Sequence, residues 1–92
     1  MEKWAGVDLH KRKMSVCWML EDGKKEEAEY QLDKSGIKRF KSRLNADVEV
    51  AIEATGNSGY ISDEIRGKVK AVRLINPWQF KVISFRRRYH NL

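Results

Sequence analysis

Short segments of alternating apolar and polar residues occupy the first third of the chain. Residues 4–9 and 14–20 are mostly apolar, which predicts two strands. In the second strand, alternate residues share one face: Met14, Val16, Trp18 and Leu20. Residues 26–32 alternate charged and less polar side chains, which is typical of an edge strand with one solvated face. A basic turn at 10–13 and a glycine-containing turn at 21–24 join the three strands as hairpins.

The apolar period changes after the third strand. Ile37, Phe40 and Leu44 recur at helical spacing, and later segments return to alternation. Asn76-Pro77 is a favourable helix start, with Asn as the cap and Pro in the first turn. The predicted elements are a helix over 34–44, a strand over 47–53, a short helix over 60–66, a strand over 68–75 and a helix that begins at Asn76-Pro77.

The resulting order, βββαβαβα, predicts a single α/β domain over residues 1–92. Three hairpin strands followed by strand–helix–strand units indicate a mixed five-stranded sheet with helices on its faces. The right-handed crossover rule places the fourth strand parallel to the first. This is the opening topology of a ribonuclease H-like domain, in which ligands bind beyond the carboxyl ends of the parallel strands.

The charge of the chain is unevenly distributed. Residues 1–64 carry 11 Lys/Arg and 13 Asp/Glu, a net charge of −2, whereas residues 65–92 carry eight Lys/Arg and no acid. A basic segment on a near-neutral body is typical of nucleic-acid binders, although a solvated surface produces the same pattern. A single cysteine, Cys17, excludes an internal disulfide and is expected in the core. Without a signal peptide or an apolar run of about 18 residues, we expect a soluble cytoplasmic protein with no membrane partner.

Two acids are predicted at the carboxyl ends of neighbouring strands. Asp8 lies near the end of the first strand and Glu53 at the end of the fourth. If these strands are adjacent and parallel, the strands are about 4.8 Å apart and the two side chains can converge on one face. Such a pair repels unless a cation lies between its members, and carboxylate oxygens are the ligands that Mg²⁺ takes. The alternative interpretation is that each acid is merely solvated or caps a neighbouring turn.

Three short motifs, distributed from near the start of the chain to residue 81, carry a resemblance to a known family: residues 6–11 (GVDLHK), 51–57 (AIEATGN) and 75–81 (INPWQFK). In order and spacing they resemble the N-terminal region of the insertion-sequence DEDD transposases (the IS one-ten group). That family is related to the Piv/MooV site-specific DNA invertases and has a RuvC-like, ribonuclease H-like domain. The resemblance implies that Asp8 and Glu53 match the first two of four catalytic, metal-binding carboxylates.

The resemblance also implies the activity and its requirements. The intact protein would cut and join DNA with Mg²⁺ or Mn²⁺. It would act as a homo-oligomer associated with the prokaryotic nucleoid, and a bridge-type RNA is a possible second partner. The last two acids of the family pattern and its C-terminal domain have no match in this sequence, since no acid follows Glu64. We therefore expect an N-terminal portion that is inactive by itself.

Further residues are candidates for contacts at the same site. The loop Thr55, Gly56 and Asn57 is expected to form a turn, with Gly at positive φ and Asn or Ser as cap. The same loop is a candidate for holding a phosphate or fixing the Glu53 carboxylate, and the turn role does not exclude this. The remaining candidates for binding nucleic-acid phosphates are His10, Lys11, Lys81, Arg86, Arg87 and Arg88, for which solvated turns and surfaces are the alternative.

Aromatic side chains are expected in the core rather than as base-stacking platforms, because they follow strand and helix periods: Trp18, Phe40, Tyr60, Trp78, Phe80 and Phe85.

Two other functions remain open at this stage. A ribonuclease H-like module that only binds nucleic acid or a protein needs no metal. A nucleotide-binding member of the sugar-kinase/ATPase fold group also begins with an acid on its first strand. The basic sequence after Asp8 argues against the second, because that group needs a longer phosphate loop rich in Gly, Thr or Ser.

Overall fold

Five strands form one mixed sheet in the part of the chain that the structure, a computed structural model, describes: residues 2–76. The elements in chain order are β1 (Glu2–Leu9), β2 (Lys13–Leu20), β3 (Lys25–Gln31), α1 (Lys34–Arg43), β4 (Glu49–Glu53), α2 (Ser58–Ile65), a 3-10 turn (Arg66–Lys68) and β5 (Ala71–Ile75). The strand order is β3-β2-β1-β4-β5. β1, β2 and β3 pair antiparallel, whereas β4 is parallel to both β1 and β5. The α/β class and the mixed five-stranded sheet predicted from the sequence are confirmed.

One face of the sheet, the core face, is packed against both helices. The register pairs Val7 with Val16 on β2 and with Ile52 on β4, so these side chains point to the same side. Their removal from water, together with the apolar sides of α1 and α2, supplies the main favourable term in folding. The buried cluster consists of Ala5, Val7, Leu9, Met14, Val16, Trp18, Phe40, Val48, Val50, Ile52, Ile61 and Ile65.

The opposite face carries the residues that alternate with this cluster. Neither α1 nor α2 covers it, and the third predicted helix, which begins at Asn76-Pro77, lies outside the described residues. The expectation that Cys17 lies in the core is wrong: it is only half-buried, because it is out of phase with Val16 and Trp18 on β2. The residues of the opposite face include Trp4, Gly6, Asp8, Ser15, Cys17, Met19, Glu49, Ala51, Glu53, Arg73 and Ile75.

α1 begins in direct contact with the end of β3. Asp33 caps the helix, since its side chain accepts a hydrogen bond from the Gly36 N–H at 2.7 Å. A Cβ atom at residue 36 would lie 2.0 Å from the carbonyl oxygen of Gln31. The close approach of helix and strand therefore requires a glycine at this position.

Arg43 joins the last turn of α1 to three strands. Its guanidinium donates hydrogen bonds to Glu2 on β1, at 2.8 Å, and to Glu26 on β3, and it lies 4.6 Å from the centroid of the Trp18 ring on β2. Burial acts to lower the pKa of Arg43, but its hydrogen bonds to Glu26 and Glu2 outweigh this and raise the pKa. The hydrogen bond from Arg43 also holds the pKa of Glu2 below its usual value.

The second half of the described chain departs from the predicted boundaries. α2 begins at Ser58, two residues before the predicted start. β5 begins at Ala71, three residues after its predicted start, because Lys68 belongs to the 3-10 turn and residues 69–70 form a bend. Tyr60 was expected in the core and is 53% exposed, because α2 directs Ile61 and Ile65 inward. Trp18 and Phe40 are in the core as predicted. The predicted C-terminal helix with Trp78, Phe80 and Phe85 lies outside the described residues.

We predict that Gly36→Ala destabilises the fold by about 3 kcal/mol, because the added methyl group meets backbone rather than a movable side chain. Gly59→Ala is the control: nothing lies within 4 Å of its Cβ position, so alanine should leave stability unchanged or raise it by up to about 1 kcal/mol. Urea unfolding measures both. Equal midpoints for the two variants would contradict the close contact between α1 and β3.

We predict that Glu2→Gln lowers the free energy of unfolding by about 1 kcal/mol near neutral pH, since it removes one of the two charged partners of Arg43. The lowered pKa of Glu2 means that this contribution is present above its usual value of 4.5 and is lost as the pH falls below it.

The difference between wild type and Glu2→Gln should therefore shrink as unfolding is measured at successively lower pH. Glu27→Gln is the matched control, because Glu27 is exposed on β3. A difference that stays constant with pH for Glu2→Gln would refute the role of this hydrogen bond.

Candidate metal centre and nucleic-acid interface

The two predicted acids lie at the carboxyl ends of neighbouring parallel strands. The register of β1 and β4 runs from Trp4↔Glu49 to Val7↔Ile52, and its next step brings Asp8 level with Glu53. Neighbouring strands are about 4.8 Å apart, and residues level with each other in a parallel pair project from the same face. The structure therefore brings Asp8 and Glu53 together on the opposite face, as the sequence predicts.

His10 contacts the first of these acids. Its Nε2 atom lies 3.3 Å from Oδ2 of Asp8, and both side chains are nearly half exposed. The contact arises because the chain turns back immediately after β1: the His10 N–H donates to the carbonyl oxygen of Lys13 at 2.8 Å. The imidazole is thus held at the same edge of the sheet as the carboxylate pair.

The loop after β4 is a tight turn at this same edge. The Ala54 N–H donates to the Ile75 carbonyl oxygen at 2.6 Å, which keeps the ends of β4 and β5 together. The Thr55 carbonyl oxygen accepts hydrogen bonds from the N–H of Ser58, at 3.0 Å, and from its Oγ, at 2.7 Å. The loop therefore has the turn role foreseen for it, and its role in holding a phosphate stays a prediction.

Two details of that loop differ from expectation. Gly56 was expected at positive φ, but among the described residues only Gly23, in the β2–β3 turn, has positive φ. Asn57 occupies the N-cap position of α2, yet its side chain makes no capping hydrogen bond. The Ser58 hydroxyl group bonds back to Thr55 and satisfies the turn instead.

The carboxylate oxygens at the site match part of the ligand set that a hard divalent cation needs. Asp8 and Glu53 supply carboxylate oxygens from two strands, and Mg²⁺ is commonly held by one or two carboxylates with water and phosphate oxygens in its remaining positions. Within residues 2–76 no group of three or more His, Cys, Asp or Glu side chains is arranged to hold a metal ion. These residues therefore offer two acidic ligands at the site.

The predicted basic contacts lie only in part within the described residues. Lys11 is exposed in the turn beside Asp8. Lys81 and the three arginines 86–88 lie outside the described residues. The described part of the basic segment was not among these predicted contacts. Its members Arg66, Lys68 and Lys70 precede β5 at the other edge of the sheet from Asp8, and Arg73 lies within β5, 3.9 Å from Glu49.

Two residues near the site were missed by sequence reasoning. Trp4 packs along the opposite face: a Cβ atom at Gly6 would lie 2.9 Å from its ring. The spacing Trp4-x-Gly6-x-Asp8 is the signal, because alternate strand residues share a face. Arg12 is fixed in the basic turn by its carbonyl oxygen, which accepts a hydrogen bond from the Leu32 N–H at 2.9 Å.

Comparison with known proteins does not identify the chain, since no family model and no curated protein matches it. Between residues 2 and 76, neither helix has the length and apolar character needed to cross a membrane.

Proposed function

We propose that this chain is the N-terminal portion of a ribonuclease H-like transposase or site-specific recombinase domain that cuts and joins DNA with a divalent metal ion. One observation carries the proposal: Asp8 and Glu53 are level with each other at the carboxyl ends of parallel strands β1 and β4. This is where open α/β sheets bind their ligands. We also propose that the intact protein is a homo-oligomer and that a bridge-type RNA is its second partner.

The sheet supports the ribonuclease H-like assignment. The resemblance to the DEDD transposases implies an antiparallel three-stranded hairpin unit followed by a fourth strand parallel to the first. The order β3-β2-β1-β4-β5 has this arrangement, with β1 and β4 adjacent. The three motifs that resemble the family begin within β1, within β4 and at the end of β5.

The proposed chemistry assigns separate tasks to the residues at the site. Asp8 and Glu53 would hold Mg²⁺ or Mn²⁺, which activates an attacking oxygen and neutralises charge on the phosphate. The Ala54–Ile75 hydrogen bond keeps the ends of β4 and β5 together directly after Glu53. His10, in contact with Asp8, is placed to orient that carboxylate. In the proposal these two acids are the first two of the four that the family uses.

We predict that the chain binds Mn²⁺ weakly and that Asp8→Asn and Glu53→Gln each weaken this binding at least about tenfold, because each removes one of two anionic ligands. Calorimetric titration or Mn²⁺ electron paramagnetic resonance measures the effect. Glu27→Gln is the matched control, since it removes an exposed acid of β3 on the same face of the sheet. Unchanged Mn²⁺ affinity in both site variants would refute the metal centre.

A non-catalytic module that binds nucleic acid or a protein is the second candidate. The observation in its favour is that Lys11 and Arg12 are exposed cations in the turn after β1, which can contact a polyanion without a metal ion. The same titration separates the two functions. Mn²⁺ binding that depends on Asp8 and Glu53 supports the metal-dependent domain, whereas its absence favours the binding module.

A further inference from the structure

The basic turn between β1 and β2, residues 10–13, is fixed at two backbone positions. The His10 N–H donates to the Lys13 carbonyl oxygen at 2.8 Å and closes the turn. The Leu32 N–H donates to the Arg12 carbonyl oxygen at 2.9 Å and ties the turn to the chain leaving β3. The turn therefore presents its side chains from a defined backbone rather than from a long loop.

Two of the four basic side chains in this turn are not engaged within the described part of the protein. His10 contacts Asp8, and Lys13 pairs with Glu29 at 3.5 Å. Lys11 and Arg12 are exposed, and neither forms a side-chain hydrogen bond or ion pair with residues 2–76.

The acids around the turn do not neutralise these two cations. Asp8 is in contact with His10, Glu29 is paired with Lys13, and Asp33 accepts the capping hydrogen bond from Gly36. Two positive charges are therefore left facing solvent at the end of β1.

The positive charge of Lys11 and Arg12 lies at the same edge of the sheet as the carboxylate pair. The turn begins two residues after Asp8, at the carboxyl end of β1, which is the edge that Glu53 shares. A second basic group precedes β5 and consists of Arg66, Lys68 and Lys70. Since β5 has five residues and is parallel to β4, this group is about 16 Å, the length of that strand, from the edge that carries the acids. A polyanion held by the turn lies next to the acids, and one held by the other group does not.

We propose that Lys11 and Arg12 bind the phosphodiester backbone of a duplex nucleic acid and bring one of its phosphates to the edge that carries Asp8 and Glu53. This inference rests on the proposed function for the identity of the bound polymer. Contacts of this kind are electrostatic and independent of sequence, because they reach phosphates rather than base edges. Arg offers a planar fork of donors to a phosphate and Lys a point charge.

The test measures binding of the full chain to duplex DNA and to duplex RNA by fluorescence anisotropy over a range of salt concentrations. EDTA is present, so that no metal contributes. The double variant Lys11→Gln/Arg12→Gln should bind roughly tenfold more weakly and lower the slope of log affinity against log salt by about 1.8, for two unrelated DNA sequences alike. The polymer whose slope changes identifies the source of the phosphates.

The matched control is Lys24→Gln/Lys25→Gln at the β2–β3 turn, which removes the same charge from exposed positions at the other end of β2. It should leave the slope near that of wild type. Equal slopes for the two double variants would overturn the proposal, as would a loss confined to Lys68→Gln/Lys70→Gln or no salt-dependent binding by the unaltered chain. Urea unfolding of each variant confirms that the fold is retained.

The metal proposal and the turn proposal fail separately. Lys11→Gln/Arg12→Gln should retain Mn²⁺ binding, because neither side chain is a metal ligand in the proposal. Asp8→Asn should lose Mn²⁺ binding and retain nucleic-acid binding in EDTA, because it removes a negative charge from the surface that faces the polymer.

Discussion

The parallel pairing of β1 with β4 is the constraint on which the rest of the described structure depends. One register, Val7 level with Ile52, places both side chains in the core beneath the helices. The same register places Asp8 and Glu53 on the other side of the sheet. A shift by one residue would move apolar side chains into water and would also separate the two acids. Burial of the core therefore fixes the geometry of the candidate site.

The side-chain interactions of Arg43 hold the fold at the end of the sheet away from that site. Arg43 binds Glu2 at the beginning of β1 and stacks on Trp18, at the end of the sheet opposite Asp8. Gly36 allows α1 to approach the end of β3 on the core face. The edge with the acids is held mainly by backbone hydrogen bonds of its turns, which leave the side chains of Lys11 and His10 at the surface. Arg43 and Glu2 can thus be changed without altering the residues proposed to bind ligands.

The sequence predicts most of the described fold, because strand alternation and the helical period both reflect the same buried face. Trp18 and Phe40 follow these periods and are in the core. Tyr60 was assigned to the core with the other aromatic side chains and Cys17 because its neighbours are apolar, and both lie out of phase with the buried residues of α2 and β2.

Asp8 and Glu53 could be found as strand-terminal acids, since topology alone makes them neighbours. The three-dimensional details could not be predicted in the same way. The Asp8–His10 contact and the hydrogen bond between Leu32 and Arg12 depend on the conformation of the turn, which the pattern of apolar residues does not predict.

The most direct test of the central claim, that Asp8 and Glu53 together hold a divalent cation, is nuclear magnetic resonance of the ¹⁵N-labelled chain during titration with Mn²⁺. The bound paramagnetic ion broadens nearby amide signals. Our account predicts that the first signals lost are those of residues 8–10 and 53–55, at the ends of β1 and β4, while those of the β2–β3 turn remain. Broadening centred on another part of the chain, or no selective broadening, would contradict it.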